Sequence, residues 1–290
     1  MNPPLYPEFK PLGFEDRDLV NRYLTANPSG VCEMSFPNLF IWKDSERPRY
    51  TILHGNLCIL VEPTFEPAYF LPPAGANEIE KTIDTCLARA PRLSRVPEAF
   101  VRTYGAPYKV EEDRDNFDYV YRCDELAELK GKKFDGKRNR IKKFELSFGH
   151  AYEKLREDHV DGCRRLLHEW YDVKGNSDPY MKAEKEAILE ALAMFKELCL
   201  TGGVVTVAER IEAFTIGMPL TADMALIQIE IANPALPGLA QWINREFIRR
   251  EWSAFRFANR EQDMGVPGLR KAKLSYQPDH LLKKYSLCCK

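Results

Sequence analysis

The stretch Ala258–Tyr276, ANREQDMGVPGLRKAKLSY, gathers Asn259, Glu261, Asp263, Arg270, Lys271, Lys273, Ser275 and Tyr276 into a short span. It follows the apolar run Phe255-Arg-Phe257 and leads into an apolar, basic close, Leu281–Leu287. Gly265, Pro267 and Gly268 bracket a turn. The pattern reads as a strand ending in a carboxylate- and amide-rich loop, from which a short helix, Gly268–Tyr276, starts. Polar groups at a strand end and a helix start can converge on one point of solvent, where sites are usually built. The same residues also suit plain capping, with Asp263 and Glu261 offsetting the free N–H groups and positive end of the helix. Both readings stay open on the residues alone.

Outward from that stretch, the 290-residue chain suggests one large domain or two of ordinary size. Its composition, 44% hydrophobic and 29% charged, is that of a globular protein with a substantial core. A net charge of −1 excludes a global basic field, so any contact with RNA or anionic lipid must come from a local patch. No apolar run approaches the roughly 18 residues of a membrane span, and the opening MNPPLYPEFKPLG lacks a secretory pattern. A cytoplasmic location is expected. Of the eight cysteines none forms a CxxC pair, and Cys58, Cys86, Cys163 and Cys199 fall at apolar positions, which predicts buried reduced thiols. The five histidines are scattered, so no metal site is expected.

Along the chain, Gly13–Ala26 predicts a helix with Leu19, Val20, Tyr23 and Leu24 on one face. Cys32–Trp42 is aromatic-rich and interrupted by Pro37. Tyr50–Leu53 and Leu57–Val61 predict a hairpin about His54-Gly-Asn56. A strand at Ala68–Leu71, the loop Pro72–Gly75 and a helix at Glu78–Ala90 follow. Pro97–Tyr104 is a short mixed piece, and Phe117–Tyr121 reads as a strand. Lys130–Lys143, KGKKFDGKRNRIKK, carries eight basic residues against Asp135. Its Lys137, Arg138, Asn139 and Arg140 suit either an anion or RNA site or a solvated helix face at a domain border. The expected domains are therefore 1–130 and 131–290. In the second, helices at His159–Tyr171 and Ala183–Leu200 lead to strands Val204–Ala208, Ile211–Ile216 and Met224–Ile231. The loop Pro234–Gly238, a helix at Gly238–Trp252 and a strand at Ala254–Phe257 complete it. The order of elements repeats between the halves, which predicts two α/β domains of the same kind.

That order also resembles the GNAT acyltransferase fold, in which a splayed central strand leaves a gap for the acyl donor. More specifically, KRNRIKKF (Lys137–Phe144), IEIANPALPGLAQWINREF (Ile229–Phe247), NREQDMGVPGLRKAKLSYQP (Asn259–Pro278) and KKY (Lys283–Tyr285) resemble a bacterial family. It is the largely uncharacterised one sharing the C-terminal domain of phosphatidylglycerol lysyltransferases. FPNLFIW (Phe36–Trp42) and DYVY (Asp118–Tyr121) fit it too. The resemblance implies two tandem GNAT-like domains, each a mixed twisted sheet flanked by helices, similar to Fem-type aminoacyl transferases. It implies an acyl or aminoacyl transferase with charged tRNA as donor. The strand–loop–helix order and the polar cluster put the expected site in the second domain, and the first half's loop, with its one glycine at Gly75, leaves the first domain a structural role. The large membrane domain of the lipid-modifying enzymes has no counterpart here, which leaves a small-molecule, peptide or lipid acceptor open.

Acyl transfer needs a base, dipoles for the oxyanion and an acid for the leaving group. Glu230, near the end of the splayed strand, is the candidate base, with a plain strand-end charge as its other reading. The resemblance to GNAT enzymes makes Tyr276 the candidate acid, with core packing around a satisfied hydroxyl as its other reading. Asn233, Asn259, Glu261, Asp263, Arg270, Lys273 and Ser275 are expected to line the substrate pocket, with the carboxylates suited to an ammonium group. Lys137, Arg138, Asn139 and Arg140 would carry the anion or RNA contact. Acyl-CoA is the alternative donor, although Asn233–Gly238 offers one glycine and two prolines that donate no N–H. A non-catalytic ligand- or RNA-binding protein is the alternative of a different class.

Overall fold

The computed structural model describes residues 3–174 and 178–290. The chain forms two compact units. The first comprises Met1–Asp118, Gln262–Val266 and Leu281–Lys290, and the second Tyr119–Glu261 and Pro267–His280. In chain order the strands are β1 (Lys10–Pro11), β2 (Arg49–Leu53), β3 (Asn56–Val61), β4 (Tyr69–Phe70), β5 (Leu93–Pro97), β6 (Lys109–Glu112) and β7 (Asp118–Arg122). They continue as β8 (His150–Lys154), β9 (Thr201–Val207), β10 (Arg210–Pro219), β11 (Met224–Ala232), β12 (Phe257–Asn259), β13 (His280–Leu282) and β14 (Lys284–Cys288). One sheet has the order β1-β2-β3-β4-β5-β14-β6, and the other β13-β7-β12-β11-β10-β9-β8.

In the first unit β2 and β3 form the expected hairpin. His54 (φ 52°) and Gly55 (φ 80°) both adopt the left-handed backbone that a tight hairpin turn demands. The helix Ile79–Arg89 lays Ile79, Ile83, Cys86 and Leu87 against Cys58, Leu60, Phe70 and Leu93, as its three- and four-residue spacing predicts. Phe36–Ile41 is helical despite Pro37, because a proline in the first turn has no N–H to leave unmatched. Glu98–Tyr104, read as a mixed piece, is a helix. The closing segment supplies β14, which runs antiparallel to both β5 and β6.

The second unit is built on the long antiparallel strands β9, β10 and β11. The helix Leu239–Glu251 buries Leu239, Trp242, Ile243, Phe247 and Ile248. The helix predicted for Ala183–Leu200 instead spans Pro179–Ala193. Cys199 therefore lies beyond it, in left-handed backbone (φ 53°) and exposed, not buried as expected. Cys58, Cys86 and Cys163 are buried.

Two features of β11 shape the region around Glu230. It pairs with β12 in parallel only over Met224–Leu226, opposite Phe257–Asn259. In its β10 pairing Ile216 faces Ile229 and Gly217 faces Ile227, so Gln228 is the extra residue of a bulge. The loop after β11 ends at Gly238 (φ 97°), where a β-carbon would stand 2.2 Å from the Arg140 carbonyl oxygen. This glycine thus permits close approach of the Leu239–Glu251 helix to the basic helix Asp135–Ser147. Gly238→Ala should cost about 1–3 kcal/mol through left-handed strain and the clash, read as a lower midpoint in urea unfolding. An unchanged midpoint would show that the approach is not needed.

Candidate functional site

Glu230 stands on β11 beyond the last residue paired with β12. Burial alternates along this part of the strand, with Ile227, Ile229 and Ile231 buried and Gln228, Glu230 and Ala232 on the opposite, partly open face. Two side chains grip the Glu230 carboxylate. Asn244, from the Leu239–Glu251 helix, donates Nδ2–H to Oε2 at 2.8 Å. Arg260, the residue immediately after β12, donates from Nη2 to the same oxygen at 3.1 Å. The short register thus ends with an arginine from one strand meeting a carboxylate from the other.

Arg260 also stacks its guanidinium over Tyr276, 4.7 Å from the ring centroid, and over Tyr121 at 5.5 Å. Burial works against its charge, but Glu230, Tyr121 and Tyr276 outweigh burial and raise its proton affinity. Burial, followed by weaker and opposing effects of Arg260 and Glu230, pushes the Tyr276 phenol above its ordinary range. Tyr276 therefore keeps its proton at neutral pH. Lys137 lies over the other ring contact of Tyr276, with Nζ 3.5 Å from the centroid, and donates to Ser275 Oγ at 2.8 Å. Burial, then the like charges of Arg260 and Arg140, push Lys137 down to about 8, against the opposing pull of Glu230.

That depression has a stability consequence. Folded Lys137 binds its proton less tightly than the unfolded chain does, so stability rises with pH between about 8 and the ordinary 10.5. Below that window the penalty is complete. Lys137→Met removes it, so the variant should fare better relative to the parent at pH 7 than at pH 10.5. The difference is bounded at about 3 kcal/mol by 1.36 kcal/mol per unit, and urea unfolding at the two pH values measures it. A difference independent of pH would show that Lys137 is not depressed.

The structure brings Glu230, Tyr276, Lys137 and Ser275 into one group with Arg260. Lys273 donates to the Arg260 carbonyl and accepts at its own carbonyl from the Tyr121 hydroxyl at 2.9 Å, bracing the same corner. Asn259 is buried and accepts the Glu261 N–H at 2.8 Å, shaping the turn after β12. Arg270 lies half-buried on the helix Pro267–Leu274. Asn233 closes the loop beyond β11, donating to Glu212 at 2.6 Å and accepting from Ala235 N–H at 2.9 Å. Asp263 belongs to the first unit, where it is buried, accepts the Gly265 N–H at 2.9 Å and pairs with Arg114 at 3.2 Å. On the basic helix, Arg138 is tied to Asp135 and to the carbonyls of Leu129 and Gly131. Asn139 and Arg140 are exposed.

The residues 26–288 match the family model of the phosphatidylglycerol lysyltransferase C-terminal domain. The chain belongs to this family. It is similar to a conserved protein of unknown function from Bacteroides thetaiotaomicron VPI-5482, at 31% identity and TM-score 0.90 over 97% of this chain and 99% of that one. A C-terminal domain of a putative lysylphosphatidylglycerol synthetase from Agrobacterium fabrum aligns at 13% identity and TM-score 0.65, covering 95% and 92% of the two chains. FemX aligns at 9% identity and TM-score 0.58, covering 96% of each. Among curated proteins none matches. The fold, like that of FemX, holds two mixed sheets flanked by helices. Among the described residues no helix is long and apolar enough to cross a membrane.

In this member of the phosphatidylglycerol lysyltransferase C-terminal family, Arg260, Asn244 and Gln228 join the site in addition to the residues expected from the sequence. The signal for Gln228 was available: in MALIQIEIA it shares with Glu230 the two-residue period of one strand face. Among the described residues, Arg260 Nη1, Asn244 Oδ1 and both polar atoms of the Gln228 side chain are buried without a hydrogen-bond partner.

The first unit holds a second charged group. Lys284 of β14 is fully buried, with Nζ 2.6 Å from Glu33 Oε2, 2.7 Å from Asp118 Oδ1 and 3.5 Å from Cys32 Sγ. Asp118 also accepts the Cys32 N–H at 2.9 Å. Burial opposes the Lys284 charge, but Asp118, Cys32 and Glu33 outweigh it and raise its proton affinity. Cys32, Glu33 and Asp118 place possible metal-ligand atoms within 4.8 Å of one another. The Lys284 ammonium already supplies the positive charge between the two carboxylates.

Proposed function

We propose that the chain is an acyl- or aminoacyl-group transferase whose site lies in the second unit, around Glu230. The observation that carries this reading is the Glu230–Arg260 pair set where β11 runs on beyond β12, beside a protonated Tyr276. Family membership supports it. In this reading Glu230 takes the proton from the attacking amine or hydroxyl, and Tyr276 returns one to the leaving group. Arg260 Nη1 and Gln228 Nε2, buried donors on residues that flank or grip Glu230, are of the kind that hold a tetrahedral oxyanion. The first unit serves as structural support.

The donor proposed is charged tRNA, met in the cytoplasm. The basic helix favours it: Arg140, Lys142 and Lys143 are exposed and form no ion pair among the described residues, as a phosphate-facing surface requires. Acyl-CoA is less favoured, because the loop Asn233–Gly238 holds one glycine and two prolines that donate no N–H to a pyrophosphate.

Thermal melting with charged tRNA, the same tRNA uncharged, and acetyl-CoA tests the reading. A ligand at about 100 times its Kd adds roughly 2.7 kcal/mol, so a melting rise with charged but not uncharged tRNA is expected. A rise with acetyl-CoA alone would make the protein a small-molecule acyltransferase. Equal rises with both tRNAs and no release of the amino acid would make it an RNA-binding protein.

A further inference from the structure

We infer that the aminoacyl side chain accepted at Glu230 is uncharged, and that a lysyl side chain is disfavoured there. This rests on the transferase reading and narrows its substrate. The Glu230 carboxylate is already matched by Arg260 at 3.1 Å and hydrogen-bonded by Asn244. Lys137, 3.5 Å from the Tyr276 ring centroid, brings further positive charge to the same corner, and the charge of Arg140 reaches it as well, acting downward on both Lys137 and Tyr276.

Lys137 itself reports the sign of the local field. After burial, Arg260 and Arg140 are what disfavour its ammonium form, and Glu230 does not compensate. The side-chain ammonium that only a lysyl group would add meets the same burial and the same like charges.

The buried atoms without partners describe what the site holds instead. Arg260 Nη1 and Gln228 Nε2 are donors, while Asn244 Oδ1 and Gln228 Oε1 are acceptors. Arg260 and Asn244 meet at Glu230 Oε2, and Gln228 lies two positions before Glu230 on the same strand face, at the bulge. Unmatched buried donors and acceptors are costly, and a ligand that completes them recovers that cost. Paired donors and acceptors suit an acyl carbonyl with an amide-bearing or small neutral side chain. Discrimination of this kind can be steep, since a site built to hydrogen-bond one group penalises a substrate that leaves its polar atoms unmatched.

Binding of glutaminyl-, alanyl- and lysyl-tRNA to the full chain, each relative to the same tRNA uncharged and at one salt concentration, tests this. The gain on charging should be at least about tenfold larger for the glutaminyl and alanyl forms than for the lysyl form. Gln228→Glu, which adds a carboxylate on the Glu230 face, should move the preference toward lysyl by about tenfold. Gln228→Ala should weaken the glutaminyl gain without creating a lysyl one. A lysyl gain equal to or above the others in the parent protein overturns the inference and leaves the transferase reading standing. No gain on charging with any of the three overturns both.

Discussion

Replacing Lys284 with methionine should destabilise the first unit by about 3–5 kcal/mol, the usual result of removing one partner from a buried ionic group. The ammonium is fully buried and lies within 2.7 Å of both Glu33 and Asp118, and the Asp118 carboxylate is itself fully buried. Methionine fills much the same space but takes the ammonium from between the two carboxylates, of which Glu33 keeps Arg95 Nε at 3.5 Å. One of them would have to take up a proton to remain inside. Urea unfolding measures the loss. The double variant Lys284→Met, Asp118→Asn should recover part of it, because the cost arises from the uncompensated charge and the two changes are therefore non-additive. A loss below about 1 kcal/mol, or simple additivity, would show that the group is not held as buried charges.

The second large effect is on turnover. Glu230→Gln should slow release of the amino acid from charged tRNA by about 10²–10⁴-fold in single-turnover conditions, the usual contribution of a positioned general base. The amide oxygen can still accept from Asn244 and Arg260, so the side chain keeps its place while losing its basicity. The variant's unfolding midpoint, taken alongside, separates loss of chemistry from loss of fold. An unchanged rate removes Glu230 from the mechanism. A slowed rate with a collapsed midpoint assigns Glu230 a structural role as the counter-charge of Arg260.

Much of the architecture could be read locally. The apolar steps of Ile79, Ile83 and Leu87, and of Leu239, Ile243 and Phe247, predict helices that the structure contains. The His54-Gly55 turn predicts the β2–β3 hairpin. Glycine and proline signals likewise mark the loops before the Leu239–Glu251 and Pro267–Leu274 helices. These elements depend on periodicity and backbone permissiveness, which belong to neighbouring residues and are therefore written along the chain. Family likeness is legible in the same way, because its motifs are contiguous runs.

Other features depend on residues far apart in the chain. Nothing local says that Lys284 will meet Cys32 and Asp118, or that β14 will lie between β5 and β6. Gly238 reads as a loop glycine, yet its requirement comes from the carbonyl of Arg140. The grouping of Glu230 with Arg260, Asn244, Tyr276 and Lys137 follows from how far β12 runs beside β11 before its pairing stops. The sequence by itself determined the family and those helices and turns whose signals lie in neighbouring residues. Only the tertiary structure decided which charges are buried together, because burial and charge pairing are set by non-local packing, whereas helix and turn formation are set by the next few residues.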